Sequence, residues 1–184
     1  MAKFTDALDD KLCDFIKKQN MFFTATAATE GRVNLSPKGL DSFRILDSHH
    51  VAYLDLTGSG NETAAHIESN RRITIMFCSF DEKPLILRLY GEGQVIHPRD
   101  NEWSAMLAHF EPIIAARQII KIKINSVQTS CGYAVPQYDF QSDRDTLHRW
   151  ADKKGEQGVR QYWRDKNQQS IDGLPTRLFE DTEN

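Results

Sequence analysis

The chain has 184 residues and a mass of 21.1 kDa, and 23 basic against 26 acidic residues leave it at −3. That length supports one domain with a sizeable core, and 40 % hydrophobic with 27 % charged residues speaks against wholesale disorder. No apolar run approaches the roughly 20 residues of a membrane span, the first residues form no signal peptide, and the near-neutral balance argues against a nucleic-acid binder.

In chain order, the first element reads as a helix capped by Thr5, with Leu8, Leu12, Phe15 and Ile16 on one face and Asn20 at its end. Strand signals follow at 22–28, at 33–36 up to Pro37, and at 51–56, 73–78 and 85–95. The clearest alternation is Ile120, Ile122 and Ile124 against Lys121, Lys123 and Asn125. At least six strands with short connections predict a small antiparallel barrel. Its continuous apolar runs need cover on both faces, from helices or a second subunit. Helices are expected at 61–69, and at 100–110 with Trp103, Met106, Leu107 and Phe110 on one stripe.

The last quarter is charge-rich: 17 of the 45 residues from Phe140 onward are charged, against 32 of the preceding 139. It is nevertheless patterned. Ser142 and Asp145 precede Leu147, Trp150 and Ala151 at helical spacing, Gly155 can end that helix, and Val159, Tyr162 and Trp163 align on a second. These helices are expected to pack an aromatic stripe on the barrel or on a partner.

Cys13, Cys78 and Cys131 are an odd number with no C-x-x-C, which suits inert thiols in a reducing cytoplasm. The six histidines show no metal-ligand spacing, and no nucleophile elbow, Walker loop or dinucleotide fingerprint is present. An enzyme of this composition would rely on a cofactor for its reactivity.

Three places suit an anionic, flat cofactor. Leu54, Asp55 and Thr57 end a strand that runs through Gly58-Ser59-Gly60 into Asn61, Glu62 and Thr63, where a helix start offers free N–H groups. Glu62 would repel a phosphate there unless it points away. Ser36, Pro37, Lys38 and Gly39 end another strand with a cation and a small residue. Arg88 stands in an apolar strand and needs an anionic partner.

The order of Ser36-Pro37-Lys38-Gly39, then Gly58 to Ile67, then Arg72 to Phe77, with Ile86 to Gly93 as the later strand, resembles the pyridoxamine 5′-phosphate oxidase-related proteins. The resemblance implies a mainly β fold with helices: an antiparallel, Greek-key FMN-binding split β-barrel over 21–131, an N-terminal helix over 1–20 and a helical C-terminal extension over 132–184, all one domain. It also implies a cytoplasmic homodimer with FMN at the subunit interface. Ser36 to Gly39 would lie along the flavin ring and ribityl chain, with strand-end backbone from Leu54 to Thr57. Asn61, Glu62 and Thr63 would meet the phosphate, and Arg88 would approach from a neighbouring strand. Cys131-Gly132-Tyr133 would reach over from the partner.

True pyridoxamine phosphate oxidases carry Ser-Arg-Lys where this chain has Asn61-Glu62-Thr63. The phosphate charge would then fall to Lys38, Arg44, Arg72 or Arg88, and vitamin B6 oxidation is not expected. The leading expectation is an FMN-dependent oxidoreductase of unknown small-molecule substrate. A flavin-binding protein without turnover, or a barrel holding haem or a deazaflavin, stands beside it.

Overall fold

A computed structural model describes residues 2–179. The element order is β1 (Lys3–Thr5), α1 (Asp10–Lys17), β2 (Phe22–Thr26), β3 (Asn34–Lys38), β4 (Phe43–Ile45), β5 (His50–Leu56), α2 (Glu62–Asn70), β6 (Arg72–Cys78), β7 (Ile86–Ile96), α3 (Trp103–Leu107), β8 (Ala116–Ser130) and α4 (Thr146–Lys166). Among the described residues, the eight strands pair antiparallel in one curled sheet, ordered β3-β2-β6-β7-β8-β5-β4. β1 pairs with the end of β8, Lys3 opposite Thr129, beyond the stretch of β8 that β5 occupies. The result is the split β-barrel.

Alternation places the core. Phe22, Val51, Tyr53, Ile75, Phe77, Leu87, Leu89, Ile120 and Ile122 line the concave side and are buried, closed at one end by Leu8 and Ile16. Ala52, Leu54, Ile96 and Ile119 point the other way and pack under Met106 and Phe110. β5 and the first half of β8 are thus covered on both faces, as their unbroken apolar runs require.

Several local expectations change. The first helix is capped by Asp9, whose carboxylate accepts the Leu12 N–H at 2.8 Å, while Thr5 ends the short β1. Pro37 does not end its strand but lies within β3, opposite Phe23; as an edge strand, β3 tolerates a missing ladder donor. The helix expected at 100–110 is only the five residues of α3. α4 contains a break at Gly155 (φ 66°, ψ 168°), where only glycine is at ease, so the two tail helices abut there. Asp145 stands at its N-cap position without a capping bond. The tail forms its own small core: Ala151 and Val159 pack on Ala115, flanked by Leu147, Trp150 and Trp163.

A buried carboxylate and an uncapped helix start

The site is built around Asp55, 1 % exposed near the end of β5. Opposite it, β5 and β8 slip register: Asp55 faces Gln118, but Leu56 faces Ala116, leaving Arg117 as the extra residue of a bulge. A bulge re-aims a side chain that would otherwise alternate away. Both neighbours accordingly reach one oxygen, Arg117 Nη2 donating to Asp55 Oδ2 at 2.7 Å and Gln118 Nε2 at 2.8 Å. Lys38 Nζ donates to the other oxygen, Oδ1, at 2.8 Å. Burial alone would raise the Asp55 pKa, but Lys38 and Arg117 outweigh it and hold the carboxyl well below the usual range.

Arg117 also donates to the Gly60 carbonyl at 2.9 Å and to Asn167 Oδ1 at 2.8 Å. Asn167, fully buried, follows α4 and clasps the Gly58–Gly60 turn through Nδ2 to the Gly58 carbonyl. Neither Gly58 nor Gly60 has a positive φ; the carbonyls of this turn are engaged inward by Arg117 and Asn167. The chain beyond continues as a strap. Ile171 N–H donates to Glu62 Oε1 at 3.0 Å, Arg32 pairs with Asp172, and Arg99 donates to the carbonyls of Arg177 and Leu178.

Asn61 occupies the N-cap position of α2, yet its side chain makes no capping bond. It is occupied elsewhere: Oδ1 accepts from Gln118 Nε2 at 2.7 Å, and Nδ2 donates to the Asn167 carbonyl. The first-turn donors of α2 therefore lack a side-chain acceptor. They open on a cavity of about 710 Å³ lined by Ser36, Pro37, Lys38, Asp55, Asn61, Glu62, Thr63, Arg117 and Lys166. Three cations face two carboxylates, and Glu62 is turned to Ile171, so the lining is net positive. The volume lies in the usual range of small-molecule sites, and the uncapped helix start with its cations suits a phosphate. A phosphorylated flavin fits this donor set.

Seven of the eleven positions expected from sequence meet in this cavity. Gly39 and Thr57 line a neighbouring basin that shares Pro37 and Lys38 with it. Leu54 faces the α3 core. Arg88 lies outside: its strand neighbours put it on the convex sheet face, where Nη1 donates to Ser130 Oγ at 3.3 Å. Arg44 is also elsewhere, paired with Asp41 and stacked on Phe110, and Arg72 lines a groove beside Tyr90. Arg117, Gln118 and Asn167 were not anticipated. The signal for Arg117 was a charge inside an apolar strand, the same argument that singled out Arg88, with Asp55 as its complement in the other strand.

A family model described as pyridoxamine 5′-phosphate oxidase matches residues 8–131. The pyridoxamine 5′-phosphate oxidase family protein ustO of Aspergillus flavus is 38 % identical over 193 residues, covering 95 % of this chain and 78 % of that one. The chain belongs to the pyridoxamine 5′-phosphate oxidase family. Solved structures with the family fold include HupZ of Group A Streptococcus, with a TM-score of 0.53 and 21 % identity over 65 % of this chain and 91 % of that one. A Lactobacillus delbrueckii structure assigned to pyridoxamine 5′-phosphate oxidase has a TM-score of 0.55 and 22 % identity, covering 67 % of this chain and 94 % of that one. Both matches cover about two thirds of this family member. Among the described residues, no helix is long and apolar enough to cross a membrane.

Proposed function

We propose that this chain is an FMN-binding oxidoreductase that works as a homodimer, its flavin phosphate held at the first turn of α2. The observation that carries the reading is the uncapped start of α2 facing Lys38, Arg117 and Lys166 across one cavity. The helix start and these side chains bind and orient the phosphate end. Asp55 holds Lys38 and Arg117 in place, and Ser36, whose hydroxyl donates to Asn34 Oδ1 at 2.8 Å, adds a fixed polar group to the cavity wall. A bound flavin would supply acceptance of a hydride or electron pair, which none of these side chains can do.

The dimer reading rests on the convex sheet face. Pro37, Phe23, Met76, Arg88, Gln128 and Phe4 form one cross-strand row there. Phe4 at one end of the row is 63 % exposed, and Leu35, beside Pro37 on β3 at the other end, is 64 % exposed. Paired across this face, two copies would cover that row and bring Arg88 to the interface.

Purified protein tests both parts. The expected result is a yellow dimer, or a colourless dimer that quenches added FMN fluorescence at one flavin per chain. A monomer that takes up no FMN would refute the proposal.

A further inference from the structure

The second basin, about 1340 Å³, adjoins the phosphate cavity at Pro37 and Lys38, which line both. Its character is opposite. Phe80, Tyr138, Phe140 and Trp150 supply aromatic surface, and Tyr138 is fixed by its N–H to the Phe80 carbonyl at 3.0 Å and by ring contact at 5.6 Å. Thr57 forms part of the wall, held by Trp163 Nε1 donating to its hydroxyl at 2.7 Å. Four carboxylates, Asp81, Glu82, Asp139 and Asp143, line it against Lys18 and Arg144, Lys38 being already matched by Asp55.

We infer that this basin binds the organic substrate, and that the substrate is a flat aromatic cation such as an arylalkylamine. The inference rests on the flavin reading, since it places the substrate beside the wall that Lys38 shares with the cofactor cavity. Aromatic walls favour a flat ring, and the surplus of carboxylates attracts an ammonium and repels a phosphate or carboxylate. The ammonium also gains from nearby aromatic rings such as Tyr138 and Phe140. An anionic vitamin phosphate has no match in this lining.

The test is calorimetric titration of the full chain with tryptamine, and with indole-3-propionate as the anionic counterpart. FMN uptake is measured on the same preparation. Saturable tryptamine binding is expected, at least about tenfold tighter than the anion, and weakened about tenfold in Phe140→Ser and in the Asp139→Asn/Asp143→Asn pair. Phe140 is 55 % exposed, so its replacement leaves the core intact. No tryptamine binding, equal affinity for both probes, or indifference to both variants would overturn the inference. FMN uptake without tryptamine binding defeats this inference alone; tryptamine binding without FMN uptake defeats the flavin reading.

Discussion

The two compartments that meet at Pro37 and Lys38 are built by different means. Around Asp55, both oxygens of the buried carboxylate have charged partners, and three separate segments (β3, β8 and the residue after α4) converge on it or on its arginine. The irregular stretch 137–144 forms one wall of the aromatic basin, with Tyr138 and Phe140 standing 67 % and 55 % exposed. The difference teaches where specificity resides. Removing the cradle's carboxylate strands two cations; the exposed side chain of Phe140 in the basin can change with little cost to the fold. A family can keep one and vary the other.

Asp55→Asn attacks the cradle most directly. It leaves the Lys38 and Arg117 charges facing each other without a counter-charge, and a loss of about 3–5 kcal/mol in unfolding free energy is expected, measured by urea denaturation. An equally severe mutation in the basin, Phe140→Ser, should stay within about 0.5 kcal/mol. Comparable losses in the two variants would erase the distinction drawn here.

Acid should separate the buried His97, just after β7 and beside Thr176 of the strap, from Asp55. Burial, aided by Arg99, lowers the His97 pKa to about 4. The unfolded chain, with an ordinary value near 6.5, binds the proton first, so stability is full above about pH 6.5 and is lost as pH falls towards 4. The loss is on the order of 3 kcal/mol, and His97→Gln should flatten it in melting curves taken between pH 7 and 4. Asp55 has the same sign at lower pH: its depressed pKa stabilises above the unfolded value near 3.9, and that contribution is lost only below it. A melting temperature that is flat from pH 7 to 4 in the unmodified chain would contradict the assignment to His97.

Asn167→Ala should cost less than Asp55→Asn. It removes the side-chain bonds to Arg117 and the Gly58 carbonyl, and about 1–3 kcal/mol should be lost. FMN affinity should fall with it, because Arg117 loses an orienting partner, while tryptamine affinity should hold. Equal losses for both ligands would mean that the strap supports the whole fold rather than the cradle.

Much of this was legible in the sequence. Alternation at Ile120, Ile122 and Ile124 and the short connections specified the antiparallel barrel, and Gly155 marked the break between the tail helices. The Gly58–Thr63 segment was picked out for phosphate and Ser36–Gly39 for a flat ligand; the first shares a cavity with Ser36, Pro37 and Lys38, while Gly39 falls outside it. What escaped was tertiary. The bulge that turns Arg117 towards Asp55 depends on a register slip between strands some 60 residues apart, and no local signal encodes it. Arg88 was read correctly as a charge in an apolar strand, but which sheet face it takes is set by its register against Met76 and Gln128. Asn167 lies in the tail, and only the packing of α4 reveals that it closes a site on the barrel.

The central claim is that the start of α2, with Lys38 and Arg117, recognises a phosphate. Comparing the dissociation constants of FMN and riboflavin on the same protein, by flavin fluorescence at fixed ionic strength, tests it most directly. Charge-assisted bonds to a phosphate should make FMN at least about tenfold tighter than riboflavin, a preference that shrinks at high salt. Equal affinity for the two flavins would contradict it.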